Sequence, residues 1–276
     1  MSKPIAIDLF CGLGGWTEGL LAEGYQVIGF DIERHEYGNH KYPAQLVLQD
    51  VLTIHGSQFK DAALIVASPP CQEYSYMAMP WTLAKAKAAA IRADTTGAAL
   101  EKLNHLFNAC FRIQKEASIA AGRHIPMVVE NVRGAIPWVG RSRWNFGSFY
   151  LWGDVPALMP ATIKATKVPG FRFDGSGKSF QSASVELAGK KVPGLDWSSF
   201  GKPGYKPQGF NVTAAQRYRQ EQEGIKSGGD WFNASQPSIS RMTSSKSDSR
   251  KAASAMIAKI PLPLSRHIAA TFRPMP

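Results

Sequence analysis

Ala62-Ala-Leu-Ile-Val-Ala67 is the stretch that most constrains how this chain can fold. Its six apolar residues lack the polar alternation of a strand with one wet face, so it predicts a strand covered on both sides. Such strands belong to parallel sheets with helices on both faces. The flanking sequence agrees. Pro4–Phe10 is apolar and β-branched, and Gly12-Leu-Gly14-Gly15 breaks it. Trp16–Glu23 is helix-like and closed by Gly24, and Tyr25–Phe30 is a second strand ending at Asp31. Leu46–Leu48 is a short third strand ending at Asp50, Ile125–Val129 a fifth, and Phe146–Trp152 a sixth. Gly97–Ala121 predicts a long helix, with Leu100, Leu103, Phe107, Cys110, Phe111 and Ala117 at helical spacing. Strands separated by helix-length segments are βαβ units, and the expected class is α/β with a Rossmann-like sheet.

Composition shifts near Asp154. From there to about residue 240 the chain is rich in Gly, Pro, Ser, Lys and aromatic residues, including Phe171, Trp197, Tyr205 and Trp231. This predicts a small, irregular second lobe of loops and short strands. The expected layout is 1–153, then the lobe at 154–240, then 241–276. The last part carries a helix over Ser249–Lys259, a break at Pro261 and Pro263, and a final helix over Leu264–Phe272. With three or four residues ahead of the first strand, that final helix is expected to return and fill the place beside it. A chain of 276 residues can bury a large core without disulfides or metals.

The net charge of +11 is uneven. Residues 1–150 carry 14 basic and 13 acidic side chains, whereas 151–276 carry 18 and 8. A basic half favours a polyanion such as nucleic acid through counterion release; a solubilising surface is the plainer alternative. The first residues lack the pattern of a signal peptide, and no apolar run nears the roughly 18 residues of a membrane span. Cys11, Cys71 and Cys110 form no metal-ligand spacing, and no metal site is expected. These features suit a reducing cytoplasm.

Four segments carry chemistry. Asp8-Leu-Phe-Cys-Gly12-Leu-Gly14-Gly15 follows a strand and opens a helix, where glycines let the backbone approach a ligand. Asp31, about 20 residues on, stands where a carboxylate holds a ribose. Together they read as a site for an adenosine-containing cofactor, although a purely structural strand-to-helix turn has the same pattern. Ser68-Pro69-Pro70-Cys71-Gln72 leaves the buried strand through two stiff prolines. A cysteine presented there is a candidate nucleophile, whereas Cys11 and Cys110 fit buried packing. Glu130-Asn131-Val132 follows the fifth strand. A carboxylate after so apolar a run is partly desolvated, which raises its pKa and lets it donate a hydrogen bond; a surface glutamate is the alternative. Arg141-Ser-Arg143 puts two guanidiniums on one side of an extended segment, as a clamp for a phosphate or base carbonyl or as a solvated pair.

DLFCGLGG, SPPCQ, ENV and RSR, in this order, resemble the cytosine-C5 DNA methyltransferases. The resemblance runs from about Ile5 to Trp152 and resumes over Ser249–Phe272. The wording around Trp138–Pro156 resembles the members carried by phages. The resemblance implies a Rossmann-like S-adenosylmethionine methyltransferase sheet in 1–153, a target-recognition lobe in 154–240, S-adenosyl-L-methionine as cofactor and double-stranded DNA as partner. It further implies a monomer in a bacterial cytoplasm, encoded by a phage or tied to restriction-modification. Phe10, Gly12, Gly14 and Gly15 match the cofactor loop, Asp31 the ribose carboxylate, Asp50 and Val51 the pair that meets the adenine, and Pro70 the pocket wall. Cys71 matches the nucleophile, Glu130 the carboxyl on the cytosine edge, Arg143 the arginine near the base, and Arg141 its partner. Gln72 and Asn131 are expected to touch substrate.

Two departures stand out. Ala258-Lys259-Ile260-Pro261 replaces the family's Asn-Ala/Ser-Val-Pro, and Arg241-Met-Thr243 only hints at the motif before it. The loop from Gln72 to Thr96, with Tyr74, Tyr76, Met77, Met79 and Trp81, is expected to close over a flipped base. Two other readings stand beside the enzyme: a DNA-binding decoy or regulator on the same scaffold, and altered chemistry such as RNA methylation.

Overall fold

The structure is a computed structural model and describes residues 2–74, 81–159, 251–252, 255 and 258–274. Strand β1 (Ile5–Leu9) leads into helix α1 (Gly15–Ala22), then β2 (Gln26–Asp31), a small hairpin of β3 (Glu36–Tyr37) and β4 (His40–Lys41), and β5 (Gln45–Leu48). After β6 (Ala62–Ala67) come α2 (Trp81–Ala93), α3 (Ala98–Ala121), β7 (Met127–Asn131), α4 (Ile136–Val139), β8 (Trp144–Phe146) and β9 (Phe149–Gly153). Helix α5 (Leu262–Phe272) lies near the C-terminal end.

Seven strands form one sheet in the order β5-β2-β1-β6-β7-β9-β8. The first five are parallel, and β9 and β8 run antiparallel at the far edge. Successive side chains of a strand point to opposite faces, and the core divides accordingly. Ile7, Leu9, Ile65 and Ala67 pack with Phe107, Cys110 and Ile113 of α3. Ala6, Leu64 and Val66 pack on the other face with Trp16 and Leu20 of α1 and with Leu264 and Ile268 of α5. Chain order reverses between β1 and β6, and in open α/β sheets ligands bind beside such a switch point, beyond the carboxyl ends of the strands.

Helix α5 packs against α1. Gly15 and Gly19 of α1 let the C-terminal segment come within backbone contact: a Cβ on Gly15 would lie 2.3 Å from Ile260 N, and one on Gly19 2.4 Å from the carbonyl carbon of Ser265. Tyr25 Oη donates to Ala269 O at 3.0 Å. The ion pairs Lys259–Glu18 and Arg266–Glu23 flank the seam, and partly exposed pairs of this kind contribute only ~0–1 kcal/mol each. Burial of Leu264 and Ile268, at about 1.5–3 kcal/mol per side chain, is the larger effect.

Several expectations change. The predicted sixth strand is two strands, β8 and β9, turned at Gly147 in the left-handed region (φ 57°). The expected Gln72–Thr96 loop contains α2. Tyr74 cannot close over a base, because it is buried in the core with its hydroxyl donating to Asn104 Oδ1 at 2.9 Å. Tyr76, Met77 and Met79 lie outside the described residues, as do residues 160–240 of the expected second lobe and 241–250 after it. In the helix expected over 249–259, the described residues Lys251, Ala252, Ala255 and Ala258 are helical.

Candidate active site

All five parallel strands end at the same edge, and each delivers one of the segments singled out in the sequence. Past β1 the chain turns through Phe10, Gly12 and Gly14, all in the left-handed region (φ 57°, 49° and 78°). Glycine takes that conformation freely; for Phe10 it is strained. A Cβ on Gly12 would meet nothing within 4 Å among the described residues, so the turn is open to them on that side. The Gly12 N–H donates to Asp31 Oδ2 at 2.9 Å, which ties the loop to the end of β2. Asp31 Oδ1 accepts from the Ile32 N–H at 2.8 Å and faces His35 Nε2 at 3.5 Å. Burial pulls the Asp31 carboxyl upward, but His35 and the N–H groups of Gly12 and Glu33 outweigh it and hold it below the usual range. His35 is raised in turn by its bond to Asp31.

At the end of β5, Asp50 accepts from the Leu52 N–H at 2.9 Å and so caps a short 3-10 turn. Val51 is buried in the core, so any part it takes in binding comes from its backbone.

The segment after β6 is fastened at its base. Ser68 donates its N–H to Leu9 O at 3.2 Å. The Trp16 indole N–H donates to Ser68 Oγ at 2.9 Å, and Asn131 Nδ2 donates to Pro69 O at 3.0 Å. Pro70 and Gln72 are exposed and Cys71 is half-buried. Cys11 and Cys110 are buried as expected, and burial pushes both thiols upward, Cys110 to about 12.

Strand β7 pairs with β6 through Ala67↔Val129, and it runs two residues past the expected end, so Glu130 is its next-to-last residue, beside the strand that leads to Cys71. Glu130 is 4% exposed. Asn131 is 1% exposed, and its Oδ1 accepts from the Val132 N–H while its amide holds Pro69. Both ends of its amide are thus engaged within the fold, and one of them ties β7 to the segment that leads to Cys71. Glu130, Leu151 and Trp144 form one row across β7, β9 and β8. Arg143 adjoins that row, its N–H donating to Leu151 O at 2.9 Å, and Arg141 and Arg143 are both exposed.

The glycine turn, the proline-braced cysteine and the buried glutamate thus share one sheet edge. Residues 5–134 match the family of C-5 cytosine-specific DNA methylases. The matched segment is just under half of the chain and contains every site residue described above except Arg141 and Arg143. Among solved structures, a DNA modification methyltransferase described as encoded within an E. coli prophage is 22% identical, covering 49% of this chain and 33% of its own, with a TM-score of 0.32. Spodoptera frugiperda DNMT2 is 17% identical over 48% of this chain and 36% of its own, with a TM-score of 0.30. The Entamoeba histolytica methyltransferase is 12% identical over 99% and 98%, with a TM-score of 0.44. The chain spans about a third of the length of the first two. A comparison with curated protein sequences finds no match.

The structure also brings in residues that the sequence reading did not single out. Trp16 and Ser68 are 52 positions apart, and nothing local signals their bond. His35 reads as one of several polar residues after β2. Asp8 carried a signal, a carboxylate inside an otherwise apolar strand. Among the described residues, no helix is long and apolar enough to cross a membrane, and no group of three or more His, Cys, Asp or Glu is placed to hold a metal ion.

Proposed function

We propose that the protein transfers a methyl group from S-adenosylmethionine to carbon 5 of a flipped-out cytosine in double-stranded DNA, with Cys71 as nucleophile. The observation that carries this reading is the adjacency of β6 and β7, which brings the Cys71 segment and Glu130 to neighbouring strand ends within the methylase segment.

The cofactor loop fits the group it would hold. The turn is open above Gly12, and a carboxylate kept ionised at Asp31 suits a pair of ribose hydroxyls. Gly14, Gly15, Phe10 and Pro70 complete that wall, with Asp50 and the Val51 backbone toward the adenine. Bound S-adenosylmethionine supplies an electrophilic methyl group. Carbon 5 of cytosine is a poor nucleophile until the Cys71 thiolate adds to carbon 6, which makes the ring an enamine. Glu130 hydrogen-bonds the ring nitrogen and exocyclic amine and stabilises the charge that develops there. Arg143 and Arg141 lie on the same side, where guanidiniums suit a base carbonyl or a phosphate, and Gln72 flanks the base. Once carbon 5 carries the methyl, a base such as water takes its proton, the C5–C6 double bond reforms and Cys71 leaves as the thiolate.

The basic second half of the chain supports DNA as the partner, with the lobe at 154–240 as the part that reads the target. The absence of a membrane-crossing helix among the described residues fits action on cytoplasmic DNA, and the resemblance around Trp138–Pro156 supports a phage origin.

Duplex DNA carrying 5-fluorocytosine tests the mechanism, because fluorine cannot leave as a cation and the covalent adduct persists. In the presence of S-adenosylmethionine the protein forms a complex stable to denaturant, Cys71→Ser abolishes it, and Cys11→Ser and Cys110→Ser retain it. Binding of DNA and cofactor without any trapped complex would replace the enzyme with the decoy.

A further inference from the structure

We propose that Trp16 is a positioning residue: its indole N–H, bonded to Ser68 Oγ, aims the Cys71 segment from the cofactor loop. This rests on the reading of Cys71 as nucleophile.

Trp16 stands in the first turn of α1, directly after Gly15. Its ring is 2% exposed and packs with Leu20, Leu64, Val66 and Ile260. The residues on either side are fixed as well. Gly15 abuts the Ile260 backbone, and the Thr17 hydroxyl donates to Asp8 at 2.6 Å. The indole therefore has little freedom, and its one polar atom meets Ser68 Oγ at 2.9 Å. A phenylalanine would keep part of the apolar packing, at the cost of a cavity, and would lose the N–H.

The chain beyond Ser68 gives this bond leverage. Pro69 and Pro70 have fixed φ, and the residues before them, Ser68 and Pro69, are restricted too. The segment from Ser68 to Cys71 is thus a stiff arm of at most roughly 10 Å. A stiff arm turns a small rotation at its base into a displacement at its tip. A misplacement of about 1 Å at a reacting atom can cost ~100-fold in rate. Among the described residues, three bonds hold the base: Leu9 O on the Ser68 N–H, Asn131 on Pro69 O, and Trp16 on Ser68 Oγ. Of the two that come from side chains, Trp16's originates next to the cofactor glycines, so it sets the register between the cofactor loop and the nucleophile.

The test is the rate of Cys71 alkylation by iodoacetamide in the full-length, ligand-free protein, read by mass at the Cys71 peptide. Trp16→Phe and Ser68→Ala each raise the rate at least threefold, the double variant goes no further than the faster single, and Ser68→Thr, which keeps the acceptor, stays at the parental rate. Unchanged rates, or additive effects in the double variant, overturn the inference. If Trp16→Phe does not melt cooperatively, the Ser68 pair decides alone. In methyl transfer, Trp16→Phe lowers kcat about tenfold with KM for S-adenosylmethionine within twofold; a change confined to KM also overturns it. A parent protein that methylates no DNA refutes the proposed function, and the alkylation result still decides the role of Trp16.

Discussion

Asp8 accepts a 2.6 Å hydrogen bond from Thr17 where β1 meets α1, and both side chains are sealed from solvent. Thr17 also bonds Tyr42 Oη at 2.7 Å. Tyr42 reaches this point because Gly29 has no side chain: a Cβ there would lie 2.3 Å from the phenol ring. The other Asp8 oxygen, Oδ1, has no partner among the described residues. Burial raises the Asp8 pKa from 3.8 to about 8, with the Thr17 bond opposing and Asp31 adding to the rise.

The raised Asp8 pKa makes stability depend on pH. Between about pH 4 and pH 8 the folded protein keeps the Asp8 proton that the unfolded chain has released. The folded state binds more protons, so this group's contribution falls as pH rises through that window and levels off above it. Asp8→Asn removes the titration. Denaturant midpoints measured at pH 5 and pH 8 should fall less for the variant than for the parent. Parallel shifts in the two proteins would mean that Asp8 is ionised in the fold.

Gly19→Ala sets two effects against each other. Alanine in a helix interior gains ~1 kcal/mol over glycine. Here the added Cβ would lie 2.4 Å from the carbonyl carbon of Ser265, which is backbone and cannot swing away. Overpacking costs about 1–3 kcal/mol, so the variant should be less stable and its C-terminal helix cut sooner in limited proteolysis. A higher melting temperature would show that α5 can move off without loss.

At the cofactor edge, Asp31→Asn keeps an acceptor for the Gly12 N–H but loses the charge. Calorimetry with S-adenosylhomocysteine should show affinity at least tenfold weaker, about 1.4 kcal/mol, in a folded protein. Asp50→Asn and Asp50→Ala separate two roles of that carboxylate. Asparagine can still cap the 3-10 turn, whereas alanine loses the cap at a cost of ~1 kcal/mol. Both should weaken binding, and only alanine should lower the melting temperature. Unaltered affinity in both would remove Asp50 from the site.

The placement of much of the candidate site was legible because its residues come at the ends of apolar runs too continuous to be anything but buried parallel strands, and such strands bring their carboxyl-terminal residues to one edge. Asp31, Cys71 and Glu130 were placed at that edge in this way. The β8–β9 hairpin was not, since Gly147-Ser148 lies among large apolar residues that read as one strand. Helix α2 escaped because its buried positions include Ala84 and Ala88, too small to make an apolar stripe. The bond from Asn131 to Pro69 could not be read, since an amide that touches a base and one that holds a backbone carbonyl look alike in sequence. Trp16–Ser68 joins two segments whose meeting depends on β1 and β6 becoming neighbours.

The seam between α1 and α5 has a consequence for how the protein is made. Gly19 and Ser265 meet as backbone, yet ribosomes add about 5–20 residues per second, so roughly 12–50 s separate their synthesis. For that interval the nascent α1 has a groove and nothing to fill it, although β1, β2 and the glycine turn have already been translated. Contacts of such long sequence separation form late. The glycine turn, whose Gly15 rests on Ile260, should therefore reach its final shape only after translation has passed the 260s, and on the proposed function ribosome-bound chains stalled before that point should not retain S-adenosylhomocysteine.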